Sequence, residues 1–419
     1  MKLFRLASLF MVFITVSCNQ PKEIKSMTDD ELRAYADELA HRFIITDGHV
    51  DLPYRIKEDK WAVNEGIIGS EGKEPVGDWD FFRARKGGLD APFMSVYIPS
   101  SYQRKSAKGE AQGGGKELAD SLINMVKGIV KTYPEKFALA NSPAEVEANF
   151  KAGKISLPMG MENGAPIGKD ISNVKYFFDR GIRYITLTHG KDNQICDSSY
   201  DTTYTWNGLS PFGGEVVKEM NRVGIMVDIS HVDDSAFYDV MKIAQAPAIA
   251  SHSSCRHFTP GFRRNMSDDM IKTLAKNGGV IQINFGASFL DSAVRANKTM
   301  VDSVRNILKS KKLSSKDEGA KAIIEPFGKH KDFFSDVERV ADHIDHVKAI
   351  AGIDYVGLGS DFDGVGDSLP EGLKDVSMYP NLIYVLLKRG YTEEDIQKIC
   401  SGNVFRVWNK VMEVAAQKQ

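Results

Sequence analysis

Seven side chains of metal-ligating or proton-transferring type stand out in the chain: His49, Asp51, Glu162, His189, His231, His252 and Asp361. Imidazole mixed with carboxylate and no thiolate is the donor set of catalytic zinc, and Mn2+ or Co2+ fits the same ligands. His49 and Asp51 are two residues apart, so on an extended segment their side chains point to one side and can meet one ion. Asp51, Glu162 and Asp361 bring three negative charges and a bridging hydroxide a fourth, which two divalent ions balance while neutral imidazoles complete the shells. Two ions about 3.5 to 4 Å apart call for a bridging carboxylate, and Glu162, in the middle of the set, is the candidate. Any one of these histidines is more often a satisfied core or surface residue than a ligand. Their joint placement carries the argument.

That placement depends on the elements beneath. From residue 43 onward β-rich runs alternate with helical stretches, predicting strands at 43–47, 92–98, 156–161, 183–188, 224–229, 246–250, 279–285 and 355–359. His49 and Asp51 follow the first strand, Glu162 the third, His189 the fourth, His231 the fifth, His252 the sixth and Asp361 the eighth. Eight strands separated by helices predict an α/β fold, a single (β/α)8 barrel, with its metal site at the C-terminal face of the strands. An open doubly wound sheet would need a glycine-rich phosphate loop after its first strand, and Asp47-Gly48-His49-Val50-Asp51 is not one. Ser267 is read as opening a helix that runs to Asn277, and Ser335 as opening one that stops at Gly352. Residues 61–90 and 100–115 read as loops over one face, and helices at 392–400 and 403–417 as closing the barrel from outside. The aromatic segment 200–206 either lines the mouth or packs as an ordinary loop. Asp228 reads as a partner for a ligating imidazole or a core-lining group, and Asp363 as a carboxylate that stabilises its loop.

Over 419 residues the formal charge is only −2, so nothing points to nucleic acid or to an anionic membrane surface; small molecules are the expected partners. Cys18, Cys196, Cys255 and Cys400 are too scattered for a zinc ribbon or a disulfide framework. Residues 1–18 read as an export signal: Lys2 and Arg5 supply the positive start, and the apolar run 6–16 is too short to span a bilayer. Thr15-Val16-Ser17-Cys18 resembles a bacterial lipoprotein cleavage box with Thr where Leu is usual, which keeps plain secretion as the alternative to lipidation at Cys18. A tether and N-terminal helix at 19–41 and a catalytic barrel at 42–419 complete the expected organisation, exported to the periplasm or anchored to a membrane only by an N-terminal lipid.

Read in order, these motifs resemble the membrane (renal) dipeptidases of the amidohydrolase superfamily. The resemblance runs from about residue 42 to the end of the chain. It rests on Asp47-Gly48-His49-Val50-Asp51-Leu52-Pro53, Gly160-Met161-Glu162-Asn163-Gly164, Leu187-Thr188-His189, Asp228-Ile229-Ser230-His231, Ser251-His252-Ser253-Ser254, Arg263-Arg264-Asn265 and Gly359-Ser360-Asp361-Phe362-Asp363-Gly364. It implies a zinc-dependent dipeptidase acting on L,L dipeptides, with L,D dipeptides as further candidate substrates and two Zn2+ per chain. His49, Asp51 and Glu162 would bind one ion; His231, His252 and the shared Glu162 the other. Asp361 would position the bridging water and carry its proton, His189 would bind substrate and its oxyanion, and Arg264 would bind the substrate carboxylate, with Arg263 as the alternative register. A homodimer is a further implication.

Two other readings compete: a dinuclear amidohydrolase of another substrate class, and an exported peptide-binding lipoprotein without turnover. Many relatives in the first group bridge their metals with a carbamylated lysine from strand four, which here ends in Thr188-His189. The second leaves the complete ligand set unexplained. If lipid at Cys18 is the anchor, Cys18→Ala moves the mature protein from the membrane fraction to the soluble fraction, whereas unchanged fractionation points to plain secretion.

Overall fold

All eight expected strands form, and every neighbouring pair runs parallel. The computed structural model describes residues 24–418 apart from 70–74, 108, 314, 316 and 331–332; the expected export signal, Cys18 and the start of the expected tether lie outside the described residues. The strands are β1 (Ile45–Val50), β2 (Leu89–Tyr97), β3 (Met159–Glu162), β4 (Ile182–Thr186), β5 (Met226–Asp228), β6 (Ile249–Ser253), β7 (Val280–Ile283) and β8 (Val356–Leu358), paired in chain order. Just past the strand ends, a parallel bridge between Val50 and Phe362 joins the first strand to the last. The Asp361 N–H donates to the His49 carbonyl (3.1 Å) and the Asp51 N–H to the Phe362 carbonyl (2.9 Å). The closure therefore runs through the segments that carry candidate site residues.

The helices that flank and cap the barrel include α1 (Asp29–Arg42), α2 (Asp268–Lys276), α3 (Lys298–Ser310), α4 (Val337–Ile350), α5 (Tyr379–Lys388) and α6 (Asn403–Ala416). Thr28 and Glu31 form a reciprocal capping box that starts α1, whose buried Leu32, Ala36 and Leu39 make it part of the main core. Ser267 caps α2 as read, accepting from the Met270 N–H. The cap of α4 is Asp336 rather than Ser335, since its carboxylate accepts from the Arg339 N–H at 3.0 Å.

Three expectations change. Residues 61–90 are not simply loop, because 63–68 and 81–87 are helical and β2 begins at Leu89; 100–115 contain a short hairpin. Helix α6 does more than cover the outside: Trp408, Val404 and Val411 share a hydrophobic cluster with Phe93, Tyr184, Met226, Ile249 and Val280, and so seal the N-terminal end of the barrel. Between β7 and α4, the described residues of 287–334 form a largely helical cap with its own small core of Ala287, Val294, Val301, Val304, Leu308, Ala320, Ile324, Phe333 and Phe334. Cys196, Cys255 and Cys400 are buried free thiols.

Inside the barrel, Gly160 of β3 faces Tyr184 of β4 so closely that a Cβ would fall 1.9 Å from the Tyr184 Cζ. The Tyr184 hydroxyl in turn holds His49 Nδ1 at 2.7 Å, so a side chain at 160 would push on a candidate ligand through the packed interior. Gly160→Ala is expected to lower stability by about 1–3 kcal/mol in urea unfolding. An unchanged midpoint would show that the Tyr184 ring moves aside freely.

Candidate metal centre and active site

The ends of β1, β3, β5 and β6 deliver His49, Asp51, Glu162, His231 and His252 to one buried cluster. Glu162 is its hub. Its Oε2 lies 3.3 Å from His49 Nε2, which is itself 3.5 Å from Asp51 Oδ1. Its Oε1 lies 3.0 Å from His231 Nε2 and 3.2 Å from His252 Nε2. The two oxygens of one carboxylate thus face two different ligand sets.

The outer atoms of these ligands are fixed by residues that were not singled out as site residues or were read only as supports. Ser251 Oγ donates to Asp228 Oδ2 (2.6 Å) and lies 2.7 Å from His252 Nδ1, so it must accept the Nδ1 proton and leave the Nε2 lone pair facing inward. Asp228 also accepts the backbone N–H groups of Ser230 and Ser251, tying β5 to β6; it is the imidazole support proposed for it, acting through a serine. Asp47 does the same between the first and last strands, accepting the His49 and Ser360 N–H groups and the Tyr379 hydroxyl. His49 Nε2 and Asp51 Oδ1 are buried without a hydrogen-bond partner. Orphaned inward-facing donor atoms, beside imidazole nitrogens as close as 2.9 Å (His231 to His252), fit a group that accepts lone pairs from all of them. The donor set therefore fits divalent metal.

The electrostatics agree. Burial pushes Glu162 up to about 7 and Asp361 up to about 6, and the neighbouring carboxylates add to the rise. Burial also holds His231 and His252 well below the usual imidazole range. At His49 burial acts in the same direction, yet Tyr184, Glu162 and Asp51 overcome it and raise the pKa well above the ordinary value. That position calls for positive charge.

Asp361 follows β8 with its backbone in the left-handed region (φ 63°), as does His231 (φ 69°), a conformation that costs a non-glycine residue energy. The Asn284 amide, just past β7, donates to Asp361 Oδ2 at 2.7 Å and holds that oxygen. Strand seven had supplied no candidate, although its position at a strand end was the available signal. His189 is partly exposed, with Nε2 3.7 Å from Glu162 Oε1 and its ring against Tyr97 and His231. Burial, then the charge of Arg264, push His189 down to about 3, so it is neutral and can donate one N–H.

The two arginines separate clearly. Arg264 is buried, donates to Ser253 Oγ (2.7 Å) and the His252 carbonyl (2.8 Å), and keeps Nε without a partner. Arg263 is partly exposed and paired with Asp233 and Tyr204. A cavity of about 810 Å3 opens over the cluster, lined by Asp51, Glu162, His189, His231 and Asp361 below and by Val301, Asp302 and Arg305 of the cap above. Tyr200 lines this mouth, 5.8 Å from the His231 ring, whereas Trp206 is packed with Nε1 on the Asn193 carbonyl. Asp363 ties its loop to Asp78 reciprocally, its carboxylate accepting the Asp78 N–H (2.8 Å) and its own N–H donating to the Asp78 carboxylate (2.9 Å), as a loop-stabilising group does.

Comparisons with known proteins place the chain in a family. The family model for membrane dipeptidase (peptidase family M19) matches residues 33–419. Similar solved structures include the probable dipeptidase PvdM from Pseudomonas aeruginosa, 25% identical, covering 92% of this chain and 100% of that one with a TM-score of 0.73. The M19 metallopeptidase called dipeptidase AC is 24% identical, with 88% and 98% of the two chains covered and a TM-score of 0.70. A metallopeptidase from Rhodobacter sphaeroides, solved with a phosphinate mimic of L-Ala-D-Ala, is 22% identical, with 88% and 99% covered and a TM-score of 0.70. With its barrel and its ligand cluster in place, the chain belongs to the membrane dipeptidase family, peptidase family M19, and is a metallo-dipeptidase.

Proposed function

We propose that the chain hydrolyses the peptide bond of free dipeptides, L,L and L,D alike, using two zinc ions: one held by His49, Asp51 and Glu162, the other by His231, His252 and the same Glu162. The observation that carries this reading is the division of the Glu162 carboxylate between two imidazole sets. A zinc pair there would supply Lewis-acid polarisation of the scissile carbonyl and a water acidified towards neutral pH. The remaining work falls to the chain. Asp361, with Oδ2 held by Asn284, has its other oxygen free to take the proton of the attacking water and deliver it to the leaving amine. Neutral His189 donates a hydrogen bond to the oxygen that gains charge as the carbonyl becomes tetrahedral.

Arg264 is assigned to the substrate carboxylate. It is a buried cation whose free Nε leaves donors for a further acceptor, and its other bonds lock it to the His252 segment. Register between carboxylate and scissile bond is then fixed at one residue. The proposed protein is exported and held to the membrane by a lipid at Cys18; among the described residues no helix is long and apolar enough to cross a membrane.

A free dipeptide is expected to be turned over far faster than its C-terminal amide, with a ratio on the order of 100-fold or more in kcat/KM, since the amide leaves a buried guanidinium without its anion. Arg264→Ala should lose most of that ratio by losing activity on the free acid. A ratio that survives in Arg264→Ala but collapses in Arg263→Ala would transfer the role to Arg263.

A further inference from the structure

Away from the barrel mouth, three more ligand-type side chains meet: His257, Asp268 and His346. They come from separate elements. His257 sits in a single 3-10 turn (Arg256–Phe258), Asp268 is the first residue of α2, and His346 lies on α4. Their ligand atoms all lie within 4.8 Å of one another. His346 Nε2 is 2.8 Å from Asp268 Oδ1, and the His257 ring stacks on the His346 ring with centroids 4.3 Å apart.

The surrounding structure holds this meeting in place. One turn earlier on α4, the fully buried His343 accepts the Cys255 N–H on Nδ1 (3.0 Å) and donates from Nε2 to the Leu290 carbonyl (3.1 Å). Cys255 lies two residues before His257, and His346 three residues after His343, so one anchor sets both rings on the same face of α4. Phe258 packs on both histidines of the helix, at 4.4 and 5.7 Å. Asp268 is fixed from the other side: the Arg256 N–H donates to the Met266 carbonyl, and Ser267 caps α2. None of the three residues belongs to the catalytic cluster.

We propose that His257, Asp268 and His346 form a third metal site, which takes one borderline transition-metal dication, Zn2+ being the expected occupant. Two imidazoles and a carboxylate, completed by water, make a tetrahedral shell for that ion. Bonds of about 2.0–2.1 Å require ligand atoms no more than about 4.2 Å apart, a distance that a small inward turn of the exposed His257 provides. The site is open to solvent and carries one carboxylate, so it binds more weakly than the buried centre. An ion there joins the 256–258 turn to α2 and α4. The chain between Cys255 and Met266 carries Arg263 and Arg264, so occupancy stiffens the base of that loop.

The test titrates Zn2+ calorimetrically into protein whose catalytic ions are already in place. One further ion per chain is expected, in the micromolar range, together with a rise in Tm. His257→Ala and Asp268→Asn, both at partly or fully exposed positions, should each weaken this event by about 10-fold or more while keeping the catalytic ions and dipeptide turnover. With Cu2+ as a spectroscopic probe, wild type should show nitrogen hyperfine coupling from two imidazoles and His257→Ala from one. No binding beyond the catalytic ions, or an equal extra event in both variants, overturns the proposal.

Discussion

Three carboxylates and four imidazoles crowded at the floor of one cavity cannot all be satisfied by one another, and that constraint organises the site. Taking an isolated carboxylate out of water costs several kcal/mol even after relaxation, and Asp51, Glu162 and Asp361 are all at most 7% exposed. Neutral imidazoles cannot offset this charge. Cations can, and the cluster offers lone pairs on two sides of Glu162 to receive them. The barrel supplies the rest: parallel strands end at a common rim, so ligands distant in sequence arrive at one level.

The rim is held by two buried aspartates that face away from the chemistry. Asp47 binds the last strand to the first, and Asp228 binds β4, β5 and β6 through Thr186, Ser230 and Ser251. These ties allow His231 and Asp361 to keep left-handed backbones, which cost on the order of 1–3 kcal/mol each and turn the side chains inward directly after a strand. The cap at 287–334 closes the opposite wall with its own apolar cluster and places Asp302 and Arg305 over the cavity.

Much of this was legible in the chain. Each of the eight β-rich runs overlaps a strand, although the first and sixth lie two to three residues later than expected and so contain His49 and His252; ligand residue types at strand ends marked the site, because a barrel converts strand order directly into spatial order. What stayed hidden depends on side-chain direction and long-range contact. Tyr184 supports His49 from 135 positions away, and nothing local to Tyr184 reveals that it points into the barrel. Asn284 sat on the one late strand without a charged residue or histidine at its end. The cap went unread although α3 repeats buried apolar residues at helical spacing, Val301, Val304 and Leu308, and that periodicity was the available signal. Arg263 and Arg264 are neighbours in sequence, and the folded chain distinguishes them by burial and by partner.

The central claim is that Glu162 joins two ions. Metal content of purified protein, compared between wild type and Glu162→Gln, tests it most directly, since the amide keeps the shape while removing the charge and one oxygen donor. The account predicts close to two divalent ions per chain in wild type and a loss at both positions in the variant. A variant that retained both ions and full turnover would contradict it.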